Sequence, residues 1–350
     1  RFRPSVILFS AWSNQWNRAV AVAKALKTLR EDIPLWIGSA HVTACPSSAP
    51  WAPFVGAVIG EGEAVVSGLI ANPSAFPAGT LIRGHTVDSL DDLARPALSL
   101  FPIADVREYP SVMFSRGCPY QCTYCMSRNG GLDGTVRWKT PTRAIQEIDD
   151  LLALAQPDEF YIDDDTFLKN PKWIRAFCEQ YRGRASTPFY CNARPETVRR
   201  ELLDRLRDIG CRGIGIGIES GSETIRRQVL MRPMADSVIL DAFRLAKEAN
   251  LKTWSFNMVG LPTETTQDLR ATIELNERAQ VDYIRVSVFT PYPGTPLYES
   301  SPPSQLPSSY FRAASTLDSE SYALFSEWVH QLERDGRLWL TNSEELLREY

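Results

Sequence analysis

Ser115-Arg116-Gly117-Cys118-Pro119-Tyr120-Gln121-Cys122-Thr123-Tyr124-Cys125 places three cysteines at x3 and x2 spacing, directly behind an apolar, strand-like run at Val112 to Ser115. Thiolates are the preferred ligands of iron-sulfur clusters and of zinc. A structural zinc site wants four protein ligands, commonly delivered as two separated pairs. No Cys or His follows Cys125 within finger distance, and His41, His85 and His330 all lie far off in sequence. Three thiolates on one short loop can instead hold a 4Fe-4S cluster by three of its irons and leave the fourth open. Zinc and coincidental thiols stay as the competing readings of this spacing.

Downstream of the loop, short β-rich runs alternate with helical periodicity, the pattern of a parallel sheet with crossover helices. The runs are Val112 to Ser115, Glu159 to Ile162, Phe189 to Cys191, Gly213 to Ile218, Thr253 to Val259 and Tyr283 to Phe289. Between them, Ile145, Ile148, Leu152 and Ala155 mark one helix face, with Thr140 as N-cap and Pro141 in the first turn. Val198, Leu202, Leu206 and Ile209 mark a second face before Gly210, and Ile239, Phe243 and Ala246 a third before Asn250. Six such units predict an α/β fold with a partial (β/α)6 TIM-like barrel. The first hundred residues differ: strands at Val6 to Phe9, Leu35 to Ile37 and Ala57 to Ile59, around a helix bearing Val22, Leu26 and Leu29, predict a small, incomplete doubly wound α/β domain. The expected organisation is this domain over 1–95, a linker over 96–110, the barrel over 111–300 and a C-terminal helical segment over 301–350, with helices at Tyr322 to Arg334 and near Glu344 to Glu349.

Composition narrows the function classes. The chain has 350 residues, 44% hydrophobic and 23% charged, with a formal net charge of −4, so no basic face for nucleic acid is expected. No apolar run is long enough to span a bilayer. Seven cysteines, three of them crowded on one loop, do not form a disulfide framework and point to a reducing, cytoplasmic setting. Cys45, Cys178, Cys191 and Cys211 read as buried, inert thiols. The chain begins at Arg1 without a methionine, and the expectation is that a segment precedes it.

The cysteine loop, down to Tyr124 before the third cysteine, resembles that of the radical S-adenosylmethionine (radical SAM) superfamily. The resemblance implies that Cys118, Cys122 and Cys125 hold a 4Fe-4S cluster whose open iron chelates SAM, and that the reduced cluster cleaves SAM to a 5'-deoxyadenosyl radical. Gly38-Ser39-Ala40-His41 and Gly60-Glu61-Gly62-Glu63 resemble the cobalamin-binding domain that precedes the barrel in one branch, although the Asp-x-His-x-x-Gly motif is absent from this sequence. Cobalamin is therefore left open as a further cofactor.

Barrel sites lie at the C-terminal strand ends, and each exit here is polar. Asp163-Asp164-Asp165-Thr166 stands where most members carry a Gly-Gly-Glu-type segment and resembles the Asp-Asp variant of the cobalamin branch; Asp164 is the expected contact to the SAM ammonium, a capping turn the plainer reading. Asn192 and Arg194 are placed to meet ribose hydroxyls and a carboxylate, or Arg194 forms an ordinary ion pair with Glu196. The run Gly213-Ile214-Gly215-Ile216-Gly217-Ile218-Glu219 resembles the fourth-strand motif, with Glu219 anchoring SAM; alternating glycine weakens a strand unless something must approach closely. Tyr124 is counted among the cofactor contacts. The expected activity is radical chemistry on an unactivated carbon, with methyl transfer favoured if cobalamin binds and cyclisation or rearrangement as the alternative. A non-enzymatic iron-sulfur or zinc module in electron transfer is the contrasting class. A reductant such as flavodoxin or ferredoxin and a small-molecule or peptide substrate are the implied partners, and 301–350 is expected to cover the barrel mouth.

Overall fold

A computed structural model of the chain describes residues 4–46, 53–126, 134–184, 187–300 and 317–339. Two compact units emerge, and neither is a single stretch of chain. The first gathers Arg1–Asp88, Pro119–Thr135 and Thr290–Ala314; the second gathers Ser89–Cys118, Val136–Phe289 and Ser315–Tyr350.

In the first unit, β1 (Ile7–Ser10), β2 (Leu35–Gly38), β3 (Gly56–Ile59) and β4 (Thr80–Arg83) form a parallel sheet in that order. Crossovers run through α1 (Trp16–Leu29), α2 (Ala40–Ala44) and α3 (Glu63–Ala71). Burial of Leu35, Ile37, Ala57 and Ile59 against Trp16, Ala23 and Phe54 builds one core, and Trp36, Val58 and Leu69 build another. β4 was not expected: its residues alternate between half-buried and exposed, so it lacks the apolar run that marks β2 and β3.

The second unit contains the barrel. α4 (Ile103–Glu108) leads to β5 (Ser111–Val112), followed by the short antiparallel pair β6 (Ser115–Arg116) and β7 (Arg137–Trp138). Then come α5 (Pro141–Ala155), β8 (Phe160–Ile162), α6 (Pro171–Tyr181), β9 (Phe189–Ala193), α7 (Arg200–Asp208), β10 (Cys211–Glu219), α8 (Asp236–Glu248), β11 (Lys252–Val259), α9 (Thr266–Arg278) and β12 (Tyr283–Val288). The sheet order is β12-β11-β10-β9-β8-β5, with every neighbouring pair parallel. This is the six-stranded open barrel that the alternating pattern predicts.

Local chemistry explains the boundaries. Thr140 caps α5 by accepting from the Arg143 N–H, Pro141 occupies the first turn, and left-handed Gln156 ends the helix. The face Ala144, Ile145, Ile148, Leu151 and Ala155 is buried. α8 buries Ile239, Ala242, Phe243 and Ala246 and stops before left-handed Asn250. Fully burying a Leu, Ile or Phe side chain is worth about 1.5–3 kcal/mol, so these stripes hold the helices on the sheet far more strongly than propensity does.

The stretch containing the expected linker is fastened to the barrel: within the linker Arg107 donates to the Ala155 carbonyl at 2.9 Å, and just before it Arg95 pairs with Asp150 at 3.0 Å and the Leu93 carbonyl accepts from Arg143 at 2.6 Å. The described C-terminal part carries the helix expected at Tyr322 to Arg334. Its helix α11 (Ser319–Arg334), numbered after α10 (Pro296–Ser300) of the first unit, packs on α9. Leu338 then pairs in parallel with Ile284 near the start of β12. The Leu338 pairing lies at the strand-start side of the barrel, whereas Ser321 in the first turn of α11 meets Thr266 in the first turn of α9 at 2.9 Å; the helix expected near Glu344 to Glu349 lies outside the described residues.

At the exit of β10, Gly221 donates to Thr272 Oγ1 at 2.7 Å, and a Cβ there would lie 2.1 Å from the Ala271 carbonyl oxygen. Gly221→Ala is expected to destabilise the barrel by about 1–3 kcal/mol through overpacking. Gly68→Ala, where an added Cβ meets nothing within 4 Å in mid-helix, should be neutral or stabilising. Denaturant titration of the two variants checks the contrast.

Candidate active site

The cysteine loop is built on a fixed base. Phe114 is fully buried among Phe167, Trp173 and Phe177, with ring centroids 6.4, 5.7 and 5.8 Å away. The two residues of β6 then pair with β7, Ser115 opposite Trp138 and Arg116 opposite Arg137, which closes the loop at its stem. Trp138 packs on Trp173 at 5.1 Å, and Trp173 donates its indole N–H to the Lys139 carbonyl at 2.6 Å. Gly117 turns the chain with φ of 91°, a left-handed conformation that favours glycine, immediately before Cys118.

Asp164 completes this base, and its position changes the role expected for it. Its side chain is 2% exposed and accepts from the Phe114 N–H at 3.2 and 3.1 Å, from the Ser115 N–H and from the Ser115 hydroxyl. The carboxylate is thus committed to the backbone that launches the cysteine loop. Strand alternation puts Asp163 on the opposite side, where it lines the barrel cavity, while Asp165 is exposed. Burial pushes the Asp164 carboxyl up to about 6, although the Ser115 hydroxyl and the Phe114 and Ser115 amides pull it back.

None of the seven cysteines is in a disulfide. Cys118 and Cys122 are buried and Cys125 is half-buried, with the Cys125 N–H donating to the Cys122 carbonyl at 3.2 Å. Among the described residues, no three His, Cys, Asp or Glu side chains are gathered as one metal ion would require. The donor set itself, three unoxidised sulfurs on an anchored loop, suits a cluster, whose corners space the thiolates more widely than a single ion does. The remaining thiols differ in environment. Burial drives Cys178 up to about 12, and Cys191, hydrogen-bonded to Cys211 and fully buried, is raised well above the ordinary thiol range, so both stay protonated and inert.

Within the first unit, Tyr124 and Cys125 line a pocket of about 420 Å³ with Trp12, Ser39, Thr43 and Gly60. Ser39 and Gly60 stand at the carboxyl ends of β2 and β3, where open parallel sheets receive ligands. The Gly60 N–H donates to Thr43 Oγ1 at 2.9 Å, and small side chains leave the floor open. His41 is not on this wall: it stacks on Trp16 at 4.3 Å with Nδ1 3.0 Å from Ser13 Oγ, and burial lowers it to about 4, which keeps it neutral.

Inside the barrel, neighbouring strands explain the alternating glycines. A Cβ on Gly215 would fall 2.2 Å from Trp254 Nε1 and 2.5 Å from Asn192 Oδ1. One on Gly217 would fall 2.4 Å from Glu219 Oε1 and 3.1 Å from Arg232 Nη2. The glycines therefore make room for side chains of the site itself. Glu219 has φ of +68° at a register break in β10, a strained non-glycine conformation of the kind found at functional sites. Arg232 donates to the Gly217 carbonyl at 2.8 Å. Asn192 and Asp163 line a cavity of about 520 Å³ that also meets Tyr109, Tyr161, Trp254 and Arg285. Arg194 forms the ion pair with Glu196, 2.7 Å, yet its side chain is only 10% exposed and does not lie on an open surface.

Some residues of this region escape a sequence reading. Glu264 accepts from the Gly260 and Leu261 N–H groups, its other oxygen has no hydrogen-bond partner among the described residues, and burial pushes it up to about 7. Its signal was the carboxylate two residues past the Gly260-Leu261-Pro262 turn. Asn257 faces outward, in a closed network with Ser255 and Asn276 at 2.6–2.9 Å.

Residues 112–275 match the radical SAM superfamily, so this chain carries a radical SAM domain. An uncharacterized methyltransferase of Pyrococcus horikoshii is 27% identical over 328 residues, covering 85% of this chain and 70% of that protein. An anaerobic magnesium-protoporphyrin IX monomethyl ester cyclase of Cereibacter sphaeroides is 30% identical over 190 residues, 53% of this chain and 31% of that one. The solved structure of the radical SAM methyltransferase TsrM from Kitasatospora setae, with cobalamin and a [4Fe-4S] cluster bound, superposes with a TM-score of 0.68 at 15% identity, covering 85% of this chain and 64% of that one. The chain thus spans about a third of the cyclase and under two thirds of TsrM.

The Asp164 environment carries a pH signature. The folded-state value near 6 lies above the unfolded value near 3.8, so the folded protein keeps a proton that the unfolded chain has lost, and stability falls as pH rises from about 4 to 6. Asp164→Asn cannot ionise and should flatten this fall, an effect approaching about 3 kcal/mol at about 1.4 kcal/mol per pH unit. Urea titrations of the apoprotein across that window measure it.

Proposed function

We propose that the radical SAM domain of residues 112–275 cleaves S-adenosylmethionine reductively and directs the resulting radical to an unactivated carbon, with cobalamin-dependent methyl transfer as the leading reaction. The observation that carries this reading is the Ser115–Cys125 loop, with three cysteines outside any disulfide launched from a stem locked by Phe114 and Asp164. When bound, the cluster supplies an electron and an open iron, and SAM supplies the radical precursor.

The chain's own residues bind, orient and shield. Cys118, Cys122 and Cys125 are the cluster ligands, with Tyr124 beside the third. Asp164 is a positioning residue that fixes the loop's origin. Asn192 offers an amide to ribose hydroxyls, and Glu219, held against Gly217, offers a carboxylate to a hydroxyl or ammonium group. Arg194, steered by Glu196, offers a guanidinium to the methionine carboxylate. Cobalamin is assigned to the small-residue floor of Ser39, Ala40 and Gly60, in the pocket that Tyr124 and Cys125 share. A flavodoxin- or ferredoxin-type reductant and a cytoplasmic location belong to the same proposal; among the described residues, no helix is long and apolar enough to cross a membrane. The cyclase relative supports ring formation as the second reading.

Anaerobic reconstitution with iron and sulfide, then dithionite and SAM, should yield 5'-deoxyadenosine by chromatography, and Cys122→Ala should abolish it. A fully loaded cluster without that product would favour an electron carrier instead. Hydroxocobalamin should remain bound through desalting, and Ala40→Trp, which fills the pocket, should weaken its binding at least tenfold.

A further inference from the structure

The barrel cavity contains a cation, Arg285, that makes no direct ion pair among the described residues. Arg285 lies on β12 in register with Phe256, and its guanidinium carbon is 6.0 Å from the Phe256 ring centroid. Among the described residues, this guanidinium forms no hydrogen bond or ion pair. The nearby carboxylates are engaged elsewhere: Glu159 accepts from the Tyr190 hydroxyl at 2.9 Å, and Asp163 accepts from the Tyr109 hydroxyl at 3.4 Å. Arg285 is half-buried, so its guanidinium keeps access to solvent and stands ready in the cavity to receive an anionic ligand. The planar fork of Arg matches a carboxylate bidentately.

The rest of the lining selects what carries that anion. Tyr109 and Tyr161 stack at 5.8 Å and 9°, and Trp254 and Trp339 stack at 5.1 Å and 12°. All four line the cavity, which at about 520 Å³ accommodates a two- or three-ring ligand. Flat, rigid walls favour a flat partner through offset-stacked or edge contacts. Glu108, Asp158, Glu159 and Asp163 also line the cavity, against Arg107 and Arg285, so the rim is net acidic and repels polyanions such as phosphate esters. Arg107 is turned to the Ala155 carbonyl, which leaves Arg285 as the receiving cation.

We propose that the barrel cavity binds a planar aromatic or conjugated monocarboxylate, its carboxylate on Arg285 and its body against the Trp254/Trp339 and Tyr109/Tyr161 walls. The cavity is lined by residues that precede β5 and β8 and by Trp339, at the strand-start side of the barrel, so the ligand is assigned to that end and its binding does not rest on the radical SAM reading. Isothermal calorimetry on the full chain without cluster, with 2-naphthoate as probe, should show saturable one-to-one binding. Replacing the probe by 2-naphthamide, or the side chain by Arg285→Met, should each weaken it at least tenfold, with Arg285→Lys intermediate and circular dichroism unchanged. Equal binding of acid and amide, an unaffected Arg285→Met variant, or no saturable binding of 2-naphthoate would each overturn the proposal. Loss of 5'-deoxyadenosine formation with naphthoate binding intact strikes the radical reading alone, and the reverse result strikes this proposal alone.

Discussion

The Asp164 carboxylate accepts from two consecutive backbone amides and a hydroxyl at Phe114 and Ser115, and the geometry of the cysteine loop follows from that tie. A loop of some twenty residues would otherwise sample many conformations, at an entropic cost that grows with its length. The buried aromatic ring of Phe114 fixes the strand end, Asp164 fixes the next residue, and the β6–β7 pair closes the stem. Three long-range constraints thus converge within four residues of Cys118, where backbone error would otherwise propagate directly into ligand position. A carboxylate withdrawn from water is expensive unless well bonded, so its placement there is consistent with a gain in positioning rather than in stability.

The barrel interior obeys a complementary constraint. Side chains from β9, β10 and β11 compete for one space, and the competition is settled by omitting Cβ atoms from Gly215 and Gly217. Asn192, Trp254 and Glu219 occupy the volume so released. The interior is therefore neither a filled core nor an open pore: aromatic rings and polar groups surround a cavity, and the strained Glu219 backbone stands at the end of the same strand. Stability given up in β10 by successive glycines appears as space and polar groups at the site.

Much of this was legible because the signals were local. The six barrel strands, the Thr140 and Pro141 helix start and the three-cysteine loop each depend on residues within a few positions of one another. What escaped depended on pairing. Strand alternation separated Asp164 from Asp163 and Asp165, but only the pairing of β8 with β5 decided which faced the cavity. The glycine run signalled a close approach without naming Trp254 and Asn192 as its cause. Arg285 had a readable signal, a lone charge alternating with apolar residues in Tyr283-Ile284-Arg285-Val286, on a strand whose interior face could be assigned by period two. The fastening of the stretch around the expected linker escaped because the arginines at 95 and 107 find partners about fifty residues away.

A cluster held by the three loop thiolates, with one iron open to SAM, has a spectroscopic signature. Electron paramagnetic resonance of the reconstituted, dithionite-reduced protein should show a reduced 4Fe-4S signal that changes shape when SAM is added, through direct coordination at the open iron. A signal indifferent to saturating SAM would instead mean a cluster with all its irons already ligated, and would overturn the assignment.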